Sequence, residues 1–178
     1  MSRSEIRIAG AGGQGIVTAG RILAEAAILS GHNATQSQVY GPQSRGGASR
    51  SDVVIATGDI GFPLADDIDL LIALSSEAYT RYHSDLGEHG RLLVDSRCAQ
   101  ASRNGSMSQF PVVDTARAIS GGQLVSGVVA LGVLQTFAGV VDGEALRRAV
   151  ATRVPATHLE MNLEALSAGM ELETGRVA

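Results

Sequence analysis

The sequence predicts an α/β protein: a single Rossmann-like open sheet of mainly parallel strands, with helices on both faces and a helical C-terminus. Three observations carry this expectation. A strand, a glycine turn and a helix follow one another between Glu5 and Leu29. The run Asp69 to Leu74 (DLLIAL) is apolar without alternation, as a parallel strand covered on both faces requires. Strand-like and helix-like segments then alternate as far as an amphipathic C-terminal stretch, the pattern of an open α/β sheet.

In chain order, Glu5 to Ala9 alternates before meeting glycines, which marks a first strand entering a tight turn. Ile16, Ala19, Ile22, Leu23, Ala26 and Ala27 recur at helical spacing, so Ile16 to Leu29 is a helix that Gly31 terminates. Thr35 to Val39 reads as a short strand, and the following YGPQSRGGASR as loop. Asp52 to Ala56 is β-branched and apolar, hence strand, and the DLLIAL strand comes next. Ser76 to Leu86 reads as helix, Arg91 to Asp95 and Phe110 to Val113 as strands. An apolar helix over Gln123 to Ala138 carries Gly127, Ala130 and Gly132, small residues that permit close packing. Asp142 is placed to cap a helix whose Leu146 and Val150 share a face. Thr157-His158-Leu159-Glu160 has the form of a capping box. Leu159, Leu163, Leu166 and Met170 then make one apolar stripe.

The 178 residues are expected to form one domain, 1–178, long enough to bury a core without disulfide or metal staples. With 44% hydrophobic and 18% charged residues, the composition is that of a globular chain and not a disordered one. Aromatic residues at 3%, no tryptophan and a net charge of -4 exclude a base-stacking platform or a basic face, so no nucleic-acid partner is expected. Every basic residue is arginine, which excludes Schiff-base chemistry, pyridoxal-phosphate anchoring and a Walker lysine. Cys98 is the single cysteine and cannot close an intramolecular disulfide, which suits a reducing cytosol. The start MSRSEIRIAG contains no long apolar signal segment. The longest apolar stretch, Val128 to Val141, is broken by Gln135 and Thr136 and is shorter than the ~20 residues that span a bilayer. A cytoplasmic location with no membrane contact follows as the expectation.

Gly10-Ala11-Gly12-Gly13-Gln14-Gly15 satisfies G-x-G-x-x-G directly after a strand and at the opening of a helix. Missing side chains let backbone N–H groups approach an anion, and the helix terminus adds partial positive charge. A dinucleotide site also needs an acidic residue about 20 positions on, and none lies between Glu25 and Asp52. A tight turn serving only close strand–helix packing accounts for the same glycines. The segment from Tyr40 to Ser51, with its three glycines, one proline, two arginines and four hydroxyl groups, shapes backbone around something polar. Arg45 and Arg50 suit forked bonds to phosphate or carboxylate; a solvated loop or an ion pair to a neighbouring subunit is the plainer account.

The remaining candidates have structural readings. His32, His83, His89 and His158 share no metal-ligand spacing with Cys98 and read as surface histidines. Asp66, Asp67 and Asp69 fit turn and cap roles before acid–base work. In Ser75-Ser76-Glu77, Ser76 reads as a helix N-cap, and the segment is also placed to line a crevice at strand carboxyl ends. Cys98 reads as a buried or incidental thiol. The chain thus offers anion-cradling loops with no recognisable nucleophile, acid–base pair or metal site, which describes a binding or accessory domain.

IRIAGAGGQGI together with YGPQSRGGASRSDVVI closely resembles the gamma subunit of 2-oxoacid:ferredoxin oxidoreductases. The resemblance runs on through DLLIALSSEAYTRY, GRLLVDS, VVALGVL and NLEALSAGMEL, from Ile6 to Leu172, and departs at Leu166, where that family often has Phe. It implies a complex that decarboxylates a 2-oxoacid on thiamine diphosphate, reduces ferredoxin through [4Fe–4S] clusters and delivers the acyl group to coenzyme A. Tyr40-Gly41-Pro42 and SRSDVVI point to the oxoglutarate or branched-chain type, with 2-oxoglutarate the expected substrate. Thiamine diphosphate and Mg2+ are implied on alpha and beta subunits, and clusters on beta or on a ferredoxin-like delta subunit. The gamma subunit is implied to hold no catalytic residue and to contribute to coenzyme A binding and subunit contacts. Carried over onto this chain, Gly12, Gly13, Gln14 and Gly15 form a backbone cradle for phosphate or pantetheine. Tyr40, Gly41, Pro42, Arg45, Gly46 and Gly47 form a loop facing coenzyme A, with Arg45 its charge partner. Two alternatives stay open: the small subunit of an indolepyruvate oxidoreductase, whose loop more often starts His-Gly-Met, and a free-standing Rossmann-like nucleotide-binding domain.

Overall fold

The computed structural model describes residues 3–39, 47–98 and 107–173. Its strands are β1 (Arg3–Ala11), β2 (Asn33–Val39), β3 (Ala48–Ala56), β4 (Ile68–Ala73), β5 (Leu86–Asp95) and β6 (Met107–Phe110). The helices are α1 (Ile16–Leu29), α2 (Ser76–Tyr82), α3 (Val112–Ser120), α4 (Ser126–Ala138), α5 (Gly143–Arg153) and α6 (Leu159–Glu171). The described strands form one sheet in the order β2-β3-β1-β4-β5-β6. β1, β4, β5 and β6 pair in parallel, and β3 runs antiparallel between β1 and β2. The mainly parallel sheet that the sequence predicts is therefore present, with one reversed strand.

Alternation along each strand sorts side chains to two unequal faces. Ile6 and Ile8 of β1, Val53 and Ile55 of β3, and Leu70 and Ile72 of β4 enter a large core shared with α1, α3, α4, α5 and α6. Ala9, Leu71, Ala73, Leu92 and Val94 face a smaller core closed by Ala78 and Tyr82 of α2 and by Cys98. Helices cover both faces, but α2 alone serves the second.

Several local readings need correction. The expected helix Ser76–Leu86 stops at Tyr82, continues as a 3₁₀ turn over His83–Asp85, and Leu86 already begins β5. Its cap is Ser75, whose hydroxyl accepts the Ala78 N–H at 3.2 Å, so Ser76 is the first helical residue. The strand expected over Phe110–Val113 ends at Phe110, because Pro111 has no N–H for the ladder and stands at the N-cap of α3, so Val112 and Val113 are helical. Ala48, Ser49 and Arg50 belong to β3, where pairing with β1 overrides their loop-like composition. The capping box at Thr157 does not form: Ala156–His158 is a 3₁₀ turn, and α6 is entered through His158 without a side-chain cap. Asp142 does cap α5, accepting the Ala145 N–H at 3.1 Å. The stripe on α6 is rotated so that Asn162, Ala165, Leu166 and Gly169 are buried, with Leu159, Leu163 and Met170 at its margin.

Candidate functional site

β1 and β4 are neighbours, yet the helix after β1 packs on the large-core face and the helix after β4 on the other. Connections that diverge in this way open a crevice beyond the carboxyl ends of the two strands. A crevice of about 230 Å³ lies there, lined by Gln14, Ser75, Ser76, Arg97, Cys98 and Gln123. The sequence places Ser75 and Ser76 there; Arg97 and Gln123 follow only once β5 pairs with β4 and the segment before α4 is brought to the first glycine loop.

The first glycine loop forms one wall. Gly12 and Gly13 are exposed at its mouth, with Gly13 at φ 86°. Gly15 holds φ 73°, and a Cβ on it would come within 2.5 Å of the Leu124 carbonyl oxygen. That glycine serves conformation and close packing together. Gln14 is buried: its Oε1 accepts the Ala11 N–H at 2.7 Å, and its Nε2 donates to the Leu74 carbonyl at 3.1 Å. Its backbone carbonyl accepts the Gly127 N–H at 2.8 Å, tying the start of α4 to the loop. The side chain is thus a clamp between the ends of β1 and β4, a role that the motif alone does not reveal.

Of the second loop, Tyr40, Gly41, Pro42, Arg45 and Gly46 lie outside the described residues. Gly47 is half-buried at the entry to β3. Because Ala48 pairs with Ala11, Gly47 stands at the same end of the sheet as Gly12. Glu77 of α2 accepts the Ala48 N–H at 3.3 Å, which ties this entry to the helix lining the crevice. Arg50 is no loop residue. It lies 3.5 Å from Asp52 and 3.8 Å from Asp85, with its guanidinium 5.4 Å from the Tyr82 ring centroid. Its carboxylate neighbours among the described residues belong to its own chain.

Arg50 joins a charge cluster under α2. Buried Arg7 donates to both carboxylate oxygens of Asp52, at 2.7 and 2.9 Å, and also to Asp85. Burial would lower the Arg7 pKa, but Asp52 and Asp85 outweigh it and raise it. Glu5 accepts the N–H groups of Asp66 and Asp67 at 2.7 and 3.0 Å, while Asp69 accepts the Glu5 N–H at 2.8 Å. The Glu5 carboxylate shapes the turn at Asp66 and Asp67 through their main-chain N–H groups, whereas Asp69, expected in a turn or cap, lies in β4 and bonds across to β1.

In the crevice, burial and then the charge of Asp95 push the Cys98 thiol up to about 11, so the sulfur is a neutral thiol near pH 7. Asp95 is fully buried, and its pKa is raised by burial against opposing bonds from the Val113 and Arg97 N–H groups, at 2.8 and 3.1 Å. Asp95 supplies α3 with the cap that Pro111 lacks and fixes the turn presenting exposed Arg97. Two hydroxyls, two amides, one guanidinium, the Cys98 thiol and the Asp95 carboxylate line this crevice, a mixed set of donors and acceptors for holding a polar group. Among the described residues no three His, Cys, Asp or Glu side chains gather where they could hold a metal ion.

The family model described as pyruvate ferredoxin/flavodoxin oxidoreductase matches residues 5–172. The 2-oxoglutarate synthase subunit KorC of Methanothermobacter marburgensis is 40% identical, covering 96% of each chain. Among solved structures, the gamma subunit of keto/oxoacid ferredoxin oxidoreductase from Geobacter sulfurreducens superposes with TM-score 0.83 at 44% identity, covering 96% of both chains. The 2-oxoglutarate:ferredoxin oxidoreductase of Magnetococcus marinus, solved with 2-oxoglutarate, coenzyme A and succinyl-CoA bound, shares the fold with TM-score 0.82 at 21% identity. This chain matches 31% of that longer one.

Proposed function

Because this chain belongs to the pyruvate ferredoxin/flavodoxin oxidoreductase family, we propose that it is the gamma subunit of a 2-oxoacid:ferredoxin oxidoreductase that oxidises 2-oxoglutarate. In that reaction the oxoacid loses carbon dioxide, its acyl group passes to coenzyme A, and the two electrons released reduce ferredoxin. Full-length similarity to 2-oxoglutarate synthase subunits from two methanogen genera supports the substrate. The decarboxylation chemistry is supplied by thiamine diphosphate with Mg2+, held on alpha and beta partner subunits. A [4Fe–4S] centre takes about four cysteines, and the single cysteine here, a buried neutral thiol, supports a reading in which beta or a delta partner holds the clusters. The assembly works in the cytoplasm; no helix among the described residues is long and apolar enough to cross a membrane.

The part of this chain, a single domain, is to hold coenzyme A and join the subunits. One observation carries the reading: the first glycine loop, which lines the crevice at the diverging connections, and Gly47, at the entry to β3, stand at the same end of the sheet. The exposed backbone of Gly12 and Gly13 offers a cradle for phosphate or pantetheine. Gly15 sets the turn, and Gln14 holds it rigid from behind. Tyr40, Gly41, Pro42, Arg45, Gly46 and Gly47 face coenzyme A, with Arg45 and Arg97 giving positive charge to its phosphates. The free-standing dinucleotide reading loses its footing in the topology, because antiparallel β3 separates β2 from β1 and β2 ends in Ser37-Gln38-Val39. No carboxylate stands there for a ribose.

The test is coenzyme A-dependent viologen reduction by the complex purified anaerobically through this subunit, with 2-oxoglutarate, pyruvate or branched 2-oxoacids as donors. Larger brown partner chains should co-elute, and 2-oxoglutarate should be preferred. Arg45→Ala and Arg97→Ala should each raise the coenzyme A KM about 10–100-fold with kcat little changed, the loss of one charge-assisted bond. An unchanged KM would remove that residue from the site. A colourless chain eluting alone and binding NAD would overturn the subunit assignment.

A further inference from the structure

On the large-core face of the sheet a second cavity, of about 180 Å³, lies where α1, α4 and α6 begin. It shares no lining residue with the crevice: Gln14 lines the crevice and Gly15 this cavity. Leu124, Val128, Val154 and Met161 make its walls apolar. The N-cap residues Gly15 of α1, Val125 of α4 and His158 of α6 also line it, and none of these three helices receives a side-chain cap. The first turns of α1 and α4 hold no acidic residue either. The partial positive charge at the helix starts therefore favours a negative group in the cavity. A separate observation concerns Asn162, which lines the cavity and is only 7% exposed. Its Nδ2 donates to the His158 carbonyl at 2.8 Å, which fixes the amide, while its Oδ1 accepts no hydrogen bond from the described residues. Nor do the Thr18 hydroxyl and the His158 ring, both lining residues, have a hydrogen-bond partner among them. Arg153 gives Nε to Glu25 Oε2 at 2.6 Å and Nη2 to the same oxygen, which leaves Nη1 open.

We propose that this cavity binds a small aliphatic carboxylate that carries an N–H or O–H donor on the carbon beside its carboxyl group, a 2-amino or 2-hydroxy acid with a branched side chain. The carboxylate accepts from Arg153 Nη1, the Thr18 hydroxyl and the His158 ring, charge-assisted bonds that the helix starts reinforce. The donor on the neighbouring carbon satisfies Asn162 Oδ1. The branched chain lies against Leu124, Val128 and Met161. An apolar cavity of about 150 Å³ accommodates benzene, so the space here suits an acid of about leucine size. Asn162 is what makes the site selective. A plain fatty acid of the same shape would cover its Oδ1 without supplying a donor, and a buried acceptor left unpaired rejects the ligand that lacks the matching group. The proposal takes nothing from the oxidoreductase reading, and its test measures no activity.

The experiment is calorimetric titration of the full chain with leucine, 2-hydroxy-4-methylpentanoate and 4-methylpentanoate. At least one of the first two should bind saturably at one site per chain, and the tighter of them shows whether the donor is an amine or a hydroxyl. 4-Methylpentanoate, which has the same body and carboxylate without the donor, should bind at least about tenfold more weakly. In Asn162→Leu, which keeps the volume and removes the acceptor, that difference should disappear. If circular dichroism shows this variant to be unfolded, Arg153→Gln is the comparison and should weaken every acid that binds by about tenfold while keeping their order. No saturable binding of either donor-bearing acid, equal affinity for 4-methylpentanoate in the wild type, or a preference that survives Asn162→Leu overturns the proposal. Affinities unchanged in Arg153→Gln overturn it as well.

Discussion

At the scale of single residues, Gln14 shows how a motif position can serve the site from behind. Both polar ends of its side chain are committed, one to the Ala11 N–H and one to the Leu74 carbonyl. Truncation leaves those main-chain groups buried without partners, at about 1–3 kcal/mol for each one left unsatisfied. Gln14→Ala should therefore lower stability by about 2 kcal/mol and the melting temperature by about 4–8 °C, read by calorimetry. An unchanged transition would show that water replaces the clamp. Arg7 carries a larger penalty. Arg7→Met leaves Asp52 buried beside a more distant Arg50, and breaking a buried pair costs about 3–5 kcal/mol. Arg7→Met/Asp52→Leu, which removes both charges, should recover part of that loss in urea titrations; no recovery would argue that Asp85 depends on Arg7 just as strongly. Cys98 gives a pH signature. Its folded pKa of about 11 lies above the ordinary 9.0, so folding favours the neutral thiol. The stabilisation is complete below pH 9 and is lost as the pH rises towards about 11. The difference in stability between wild type and Cys98→Ala should shrink across that window. A constant difference would show the thiol to be unperturbed.

At the scale of elements, the sharpest constraint is the crossing of α4 and α6. The small residues of α4 imply a close neighbour, but periodicity does not say which element it is. Here a Cβ on Gly132 would sit 2.7 Å from the Gly169 carbonyl carbon and the Met170 nitrogen, and one on Gly169 would sit 2.9 Å from the Val129 carbonyl carbon. Main chain faces main chain, so no side-chain rotation relieves the overlap. Gly132→Ala and Gly169→Ala should each destabilise by about 3 kcal/mol or more, the upper range for overpacking. Gly143→Ala, whose nearest neighbour is a flexible Gln135 amide at 3.6 Å, should lie within about 0.5 kcal/mol of wild type apart from propensity. Equal effects at the three positions would contradict the crossing. The same neighbour-dependence explains what the sequence conceals. α1 was legible because its apolar spacing is internal to it, and its bounds Ile16–Leu29 are those the pattern predicts. α3 was not, because Val112-Val113 after Phe110 mimics a strand until Asp95, from another element, caps the helix. Ala48 to Arg50 become strand for a similar reason, since only the partner β1 stops them being loop.

At the scale of the molecule, the two faces of the sheet differ in depth, and that difference bears on the candidate site. One face shares a core with five helices; the other is closed by α2, seven residues long, and the residues beside it. Opening free energy follows buried apolar contact, so the thinner layer should open first. Native-state hydrogen exchange should find Ala78 to Tyr82 exchanging through a sub-global opening, while the amides of α4 and of β1 near Ile8 exchange only with global unfolding. The candidate residues legible in the sequence, Gly12 to Gly15, lead into α1 on the deep layer. Ser75 and Ser76, which the sequence also places at a crevice, and Arg97, which only the fold brings there, belong to the shallow layer or its neighbouring turn. A ligand seated between the layers would bind the closed form and not the open one, so it would shift this equilibrium by mass action. In the assembled complex, saturating coenzyme A should slow exchange at Ala78 to Tyr82 by roughly its concentration divided by its dissociation constant, about 100-fold at a hundred times Kd. Slowing confined to α1 and the glycine loop would place the ligand on the deep layer alone and take Arg97 out of the site. No slowing on either side would place coenzyme A wholly on the partner subunits.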